Sequence, residues 1–128
     1  MNLFWWLSPK KKRAIVKGET LDSVRREWSE IKILLAQGSP SQLKQALIAA
    51  DKTVDTVLKD IIEGDTMGER LRNARDKFDD RDTYQGIWDA HKMRNALVHE
   101  SGFELTHFSL KKGVEKLKEG LKALGIAV

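Results

Sequence analysis

The chain has 128 residues, 41% of them hydrophobic and 33% charged, with only two prolines. That length supports one domain with a single buried core, and the composition excludes a disordered or low-complexity protein. It has no cysteine, which excludes disulfides, thiolate nucleophiles and cysteine-ligated zinc and accords with a cytoplasmic setting. The net charge of +4 comes from the N-terminus: residues 1–18 carry five of the 23 basic side chains and no acid, leaving 18 bases against 19 acids in residues 19–128. A broad phosphate-binding surface is therefore not indicated for residues 19–128, and any nucleic-acid contact there has to be local.

Residues 1–18 form a basic, aromatic arm ahead of a helical domain, residues 19–128. The arm reads Asn2-Leu3-Phe4-Trp5-Trp6-Leu7-Ser8-Pro9 and then Lys10-Lys11-Lys12-Arg13. Its apolar run is far short of the ~20 residues that span a bilayer, and the charges lie on the wrong side for a signal peptide. Three readings stay open: the aromatics cover part of the bundle or a neighbouring subunit, residues 3–13 give a weak peripheral contact with an anionic membrane, or the arm is a flexible tail.

From Thr20 the periodicity is helical. Leu21, Val24, Trp28, Ile31 and Leu35 recur at alternating steps of three and four, and Gly38 supplies a stop. Ser39, Pro40 and Gln42 form a capping box opening the longest helix, over 40–63. Its stripe is Leu43, Leu47, Ala50, Val54, Val57 and Ile61. Asp51 and Asp55 flank that stripe as solvated edge residues, with Asp51 the one placed to face a polar site. A second capping box, Thr66 with Glu69, starts a short charged helix that runs to Phe78, anchored by Leu71 and Phe78. Asp79-Asp80-Arg81-Asp82 has no calcium-loop spacing and reads as a connection, with Asp82 and Gln85 capping the next helix.

That next helix runs from Thr83 to His99 or Glu100, with Gly102 after it. Phe103 and Leu105 pack in the following loop. Thr106 starts a last helix with the stripe Leu110, Val114, Leu117, Leu121 and Leu124, stopped by Gly125. No stretch alternates strictly enough for a strand. The expected fold is all-α: an antiparallel up-and-down helical bundle of four main helices plus one short helix.

The helix from Thr83 carries the chemistry. Around its axis, with Tyr84 at 0°, Ile87 falls at about 300°, Val98 at about 320°, His91 at about 340° and Trp88 at about 40°, which defines the apolar arc. Arg94 at about 280°, Asn95 at about 20° and His99 at about 60° lie on or beside it. An unpaired guanidinium in a core costs several kcal/mol, so Arg94 needs a partner, a wet crevice or an interface. Asn95 and His99 are four apart and can face one another. Arg94 and His99 point about 140° apart on a straight helix. A second copy across a two-fold axis would gather two Arg, two Asn and two His in one cleft. His91 is read as a hydrogen-bonded core residue near the site, and His107 as a surface or capping residue.

Arg94-Asn95-Ala96-Leu97-Val98-His99, within Ile87–Glu100, resembles the Arg-Asn-x3-His signature of the HEPN family (higher eukaryotes and prokaryotes nucleotide-binding domains), whose general pattern is Arg, four to six residues, His. The helical order over residues 20–125 is similar to that family's bundle. The resemblance implies a homodimeric, metal-independent endoribonuclease that needs no cofactor. Arg94, Asn95 and His99 would be its catalytic residues, RNA its substrate, and a toxin or defence role with an antitoxin or other protein partner its setting. The residue chemistry is compatible: RNA supplies its own 2′-OH nucleophile, histidine moves protons near neutral pH, and arginine grips phosphate. The competing expectation is a non-catalytic dimeric module that binds a nucleotide, RNA or partner protein.

Overall fold

Residues 15–100, 102 and 104–128 are described by the computed structural model. The readings of the N-terminal aromatic and basic segment and of Phe103 lie outside them. The fold is an all-α bundle of helices α1 (Gly18–Gln37), α2 (Pro40–Ile61), α3 (Met67–Asn73), α4 (Arg81–His99) and α5 (His107–Ala123), with a turn of 3-10 helix at Arg75–Lys77.

Local chemistry sets most of the boundaries. Gly38 takes the left-handed conformation (φ 73°) and its N–H bonds to Leu34 O, closing α1 without the penalty a Cβ would bring. Ser39 and Gln42 form the expected reciprocal capping box, with bonds of 3.1 and 3.2 Å. Thr106 Oγ1 accepts from Ser109 N–H at 3.0 Å and opens α5.

One capping bond and two boundaries differ from the sequence expectation. Thr66 caps α3, but Glu69 reaches back to the N–H of Asp65 rather than to that of Thr66. The segment predicted as one helix to Phe78 breaks at Ala74, whose N–H is shared between Arg70 O and Leu71 O, tightening the chain into 3-10 geometry. The cap of α4 is Asp80, not Asp82. The Asp80 carboxylate accepts from both the Thr83 hydroxyl and the Asp82 N–H, which starts the helix two residues earlier than expected. These bonds, the Thr83 hydroxyl first, hold the Asp80 carboxyl below the usual carboxylate range.

Helix α2 is the central element, packing against α1, α3, α4 and α5. Its Leu43, Leu47, Ala50, Val54, Val57 and Leu58 are fully buried. The antiparallel course of α1 and α2 follows from contacts at both ends and the middle: Gln37 with Gln42, Trp28 with Thr53, and Lys17 with Asp60. The Trp28 indole N–H donates to Thr53 Oγ1 at 2.9 Å, and that hydroxyl donates to Ala50 O at 2.7 Å. Two buried polar groups are thus satisfied inside the core. Leu105 packs half-buried against the core as expected. No helix among the described residues is long and apolar enough to cross a membrane.

The buried face of α4 is rotated from the predicted arc. Its buried residues are Gly86, Ile87 and Ala90, with Met93 and Leu97 packed beside them. This centres the seam at about 240° on the scale used above, near Ala90. Val98, expected on the apolar arc, is 46% exposed. Close approach to α5 is the reason. A Cβ at Gly113 would meet Met93 Cε at 2.9 Å, and one at Gly120 would meet Ile87 Cδ1 at 2.5 Å. Each glycine of this seam receives a large side chain of the other helix, Met93 at Gly113, Ile87 at Gly120 and Lys116 at Gly86, and Tyr84 and Trp88 lie at its edge.

Candidate functional site

Asp51 on α2 is buried. A carboxylate removed from water requires charge or hydrogen-bond compensation, and α4 provides it. His91 Nδ1 lies 3.2 and 3.1 Å from the two Asp51 oxygens, and Arg94 Nε stands 3.9 Å from Asp51 Oδ2. Arg94 Nη1 donates to Asn95 Oδ1 at 3.1 Å, and Asn95 Nδ2 faces His91 Nε2 at 3.4 Å.

The donor and acceptor roles around this ring follow from one another. An ionised carboxylate only accepts, so His91 Nδ1 carries the proton that faces Asp51. Arg94 only donates, which fixes the Asn95 oxygen toward it and the Asn95 NH2 toward His91. His91 Nε2 then accepts. The result is a directed chain, Arg94 to Asn95 to His91 to Asp51, with the guanidinium and the carboxylate at its ends also within a long ion pair. Its members come from positions 51 and 91–95, so the bundle, not the local sequence, assembles it.

Of the three residues singled out from sequence, Arg94 and Asn95 are brought together, both half-buried. The Arg94 side chain keeps 32% exposure. His99 is not part of the chain. It is exposed at the C-terminal end of α4, and Asn95 turns to His91, one turn earlier, instead of to His99. The reason is the rotation of α4: with the seam near Ala90, Asn95 sits on its flank and His99 on the solvent side. Asp51 takes the polar-facing position open to it in sequence. His91 is hydrogen-bonded as expected and is a full member of the cluster. His107 is exposed at the start of α5.

Asp55 is a correction. It was expected at a solvated edge but is bound by Arg70 on α3, with Nε to Oδ1 at 2.8 Å and Nη2 to Oδ2 at 3.0 Å. Arg70 Nη1 also donates to Gly64 O at 2.6 Å. The bidentate bond to Asp55 outweighs burial and raises the guanidinium pKa further. No sequence signal joins two charges 15 positions apart across a loop. Among the described residues, no group of three or more His, Asp or Glu side chains is arranged to hold a metal ion.

On its outer side α4 borders an open groove of about 610 Å³ against α3 and the 3-10 turn, lined by Arg72, Arg75, Arg81, Lys92, Tyr84 and Trp88 among others. The Trp88 ring stands edge-on to His91, with centroids 6.2 Å apart, so the groove adjoins the polar chain. No protein-family model, curated protein or solved structure matches this chain.

Proposed function

We infer that this chain is a HEPN-like, metal-independent endoribonuclease that acts as a homodimer. One observation carries the reading: α4 holds a half-exposed guanidinium, Arg94, oriented by Asn95, with an exposed imidazole, His99, on the same helix. The Arg94 contact with Asp51 is long, at 3.9 Å, which leaves guanidinium hydrogens for a phosphate. Arg94 would bind the scissile phosphate, Asn95 would hold that guanidinium in place, and His99 would take the proton from the 2′-OH. The 2′-oxygen then bonds to phosphorus as the P–O5′ bond breaks. The leaving 5′-oxygen receives a proton from the second His99 across a two-fold axis, giving a 2′,3′-cyclic phosphate and a 5′-hydroxyl. RNA brings the nucleophile itself, so the chemistry calls for no metal. A cytoplasmic toxin or defence protein, kept in check by a partner protein, is the setting this activity implies.

The test is cleavage of RNA by purified chain in EDTA. Wild type should give 2′,3′-cyclic ends, and His99→Ala should be slower by about 10²–10⁴-fold. Equal rates in the two proteins, or activity abolished by the chelator, would sink the mechanism.

A second reading is favoured by the closure of the Asp51–His91–Asn95–Arg94 chain on itself within one protomer. A polar network satisfied without substrate suits a non-catalytic module that binds a nucleotide, RNA or a partner protein. It predicts that Arg94→Ala weakens ligand binding or association while RNA stays intact under all conditions.

A further inference from the structure

Helix α4 also carries a cationic and aromatic stripe. Arg81, Trp88, Lys92 and His99 fall within about 40° of one another around its axis, with Tyr84 and Asn95 on the near edge. The stripe is about 27 Å long from Arg81 to His99. Its first half forms one wall of the groove described above, and α3 with the 3-10 turn forms the other through Arg72 and Arg75. Tyr84 ties the walls together, its hydroxyl donating to Leu71 O at 2.9 Å. Trp88 and Arg72 flank Gly68: a Cβ there would lie 3.7 Å from Trp88 Cη2 and 3.9 Å from Arg72 Nη1.

Four of the 18 basic side chains of residues 19–128 thus surround one concavity, although those residues carry 19 acids in all. Among the described residues none of Arg72, Arg75, Arg81 and Lys92 forms an ion pair. Arg70, two positions from Arg72, turns inward and binds Asp55. The contrast separates a structural arginine from ones left facing solvent. Asp76 and Asp79 line the adjoining hollow on the other side of Arg75 and Arg81, so the positive potential is bounded there and opens along α4 toward Lys92.

We propose that this groove binds a single-stranded RNA segment, its phosphates on Arg72, Arg75, Arg81 and Lys92 and a base stacked on Trp88. Alternating cations and aromatic rings match the alternating phosphates and bases of an unpaired strand. A duplex hides its base faces and needs a broader basic surface than this domain offers. The strand leaves the groove beside Lys92 and runs up the stripe toward Asn95 and His99, about 16 Å beyond Trp88. That direction rests on the ribonuclease reading; the binding does not.

Binding is measured by fluorescence anisotropy of a labelled oligouridine against the full chain carrying His99→Ala, which slows the proposed cleavage, with EDTA present to silence metal-dependent nucleases, and the oligouridine is checked for integrity after each titration. The Arg72→Gln/Arg75→Gln double variant should bind at least about tenfold more weakly, with the salt dependence flattened by about 0.7 per lost phosphate contact. Both residues are exposed, so the fold is not at stake. Trp88→Leu should lose about tenfold, and Trp88→Phe should keep most of the affinity, because it retains a stacking face. Circular dichroism melting of the Trp88 variants separates lost stacking from lost fold. Unchanged affinity and salt slope in the double arginine variant would overturn the groove, as would a duplex of equal length binding as tightly as the single strand. Loss of binding in the groove variants with no cleavage by wild type supports the groove and removes the ribonuclease. Cleavage by the double variant with an unchanged KM does the reverse.

Discussion

Trp28 and Thr53 show how a single buried bond constrains the core. Both are buried, and the indole N–H has Thr53 Oγ1 as its partner. Thr53→Val keeps the shape and deletes the acceptor, so the N–H remains buried without one. The expected loss is about 1–3 kcal/mol in urea unfolding, with an unchanged m-value. No loss would mean that the indole finds another acceptor. The same logic governs the polar chain on α4, where Asp51 is compensated only because His91 and Arg94 converge on it. Arg94 was recognisable in the sequence as a residue needing a partner. Which partner it takes was not, because Asp51 stands 43 positions away and an edge aspartate ordinarily faces water.

The α4–α5 seam turns α4 away from the arc that its large apolar side chains define. Periodicity places the buried arc at Ile87, Val98, His91, Tyr84 and Trp88; of these Ile87 is fully buried, and the helices approach where Gly86, Gly113 and Gly120 admit side chains of the other helix. Small residues carry little weight in a periodicity count, yet they set how close two helices come. The seam makes a prediction opposite to helix propensity. Alanine is the better helix former, but Gly120→Ala should destabilise by about 1–3 kcal/mol through overpacking against Ile87. Ile87→Val should recover part of that loss in the double variant, read by the same denaturant curves. A more stable Gly120→Ala chain would contradict the close approach. The break between α3 and the 3-10 turn has a similar origin. Arg70 is drawn to Asp55 and Gly64 O, and Asn73 to Glu63 O, so the segment follows its tethers in place of its helical pattern.

For the whole molecule, the proposed chemistry depends on assembly. Within one chain His99 is exposed and stands apart from the Arg94–Asn95 pair, so a two-fold partner is what would complete the cleft. Sedimentation velocity of the full chain should show a species of two chains at micromolar concentration. A monomer that still cuts RNA would separate the chemistry from the two-fold arrangement. The partly exposed Arg94, the exposed Val98 and His99, and the groove beyond Trp88 all lie on α4. This one helix carries both the candidate chemistry and the candidate strand path.

The helical class, the order of the helices and most of their stops and caps are legible in the sequence. Those features depend on neighbours within about four positions, where periodicity and side-chain capping act. The sequence also marked Arg94 and Asn95 as polar residues in a packed helix. The tertiary structure decided the rotation of α4, the pairing of Asp51 with His91 and Arg94, the bond between Asp55 and Arg70, and the gathering of Arg72, Arg75, Arg81 and Lys92 around one groove. Each of these joins residues on different elements. Their energies arise only when the bundle closes, through close packing of large side chains against glycines and through the need to compensate charge that folding takes out of water.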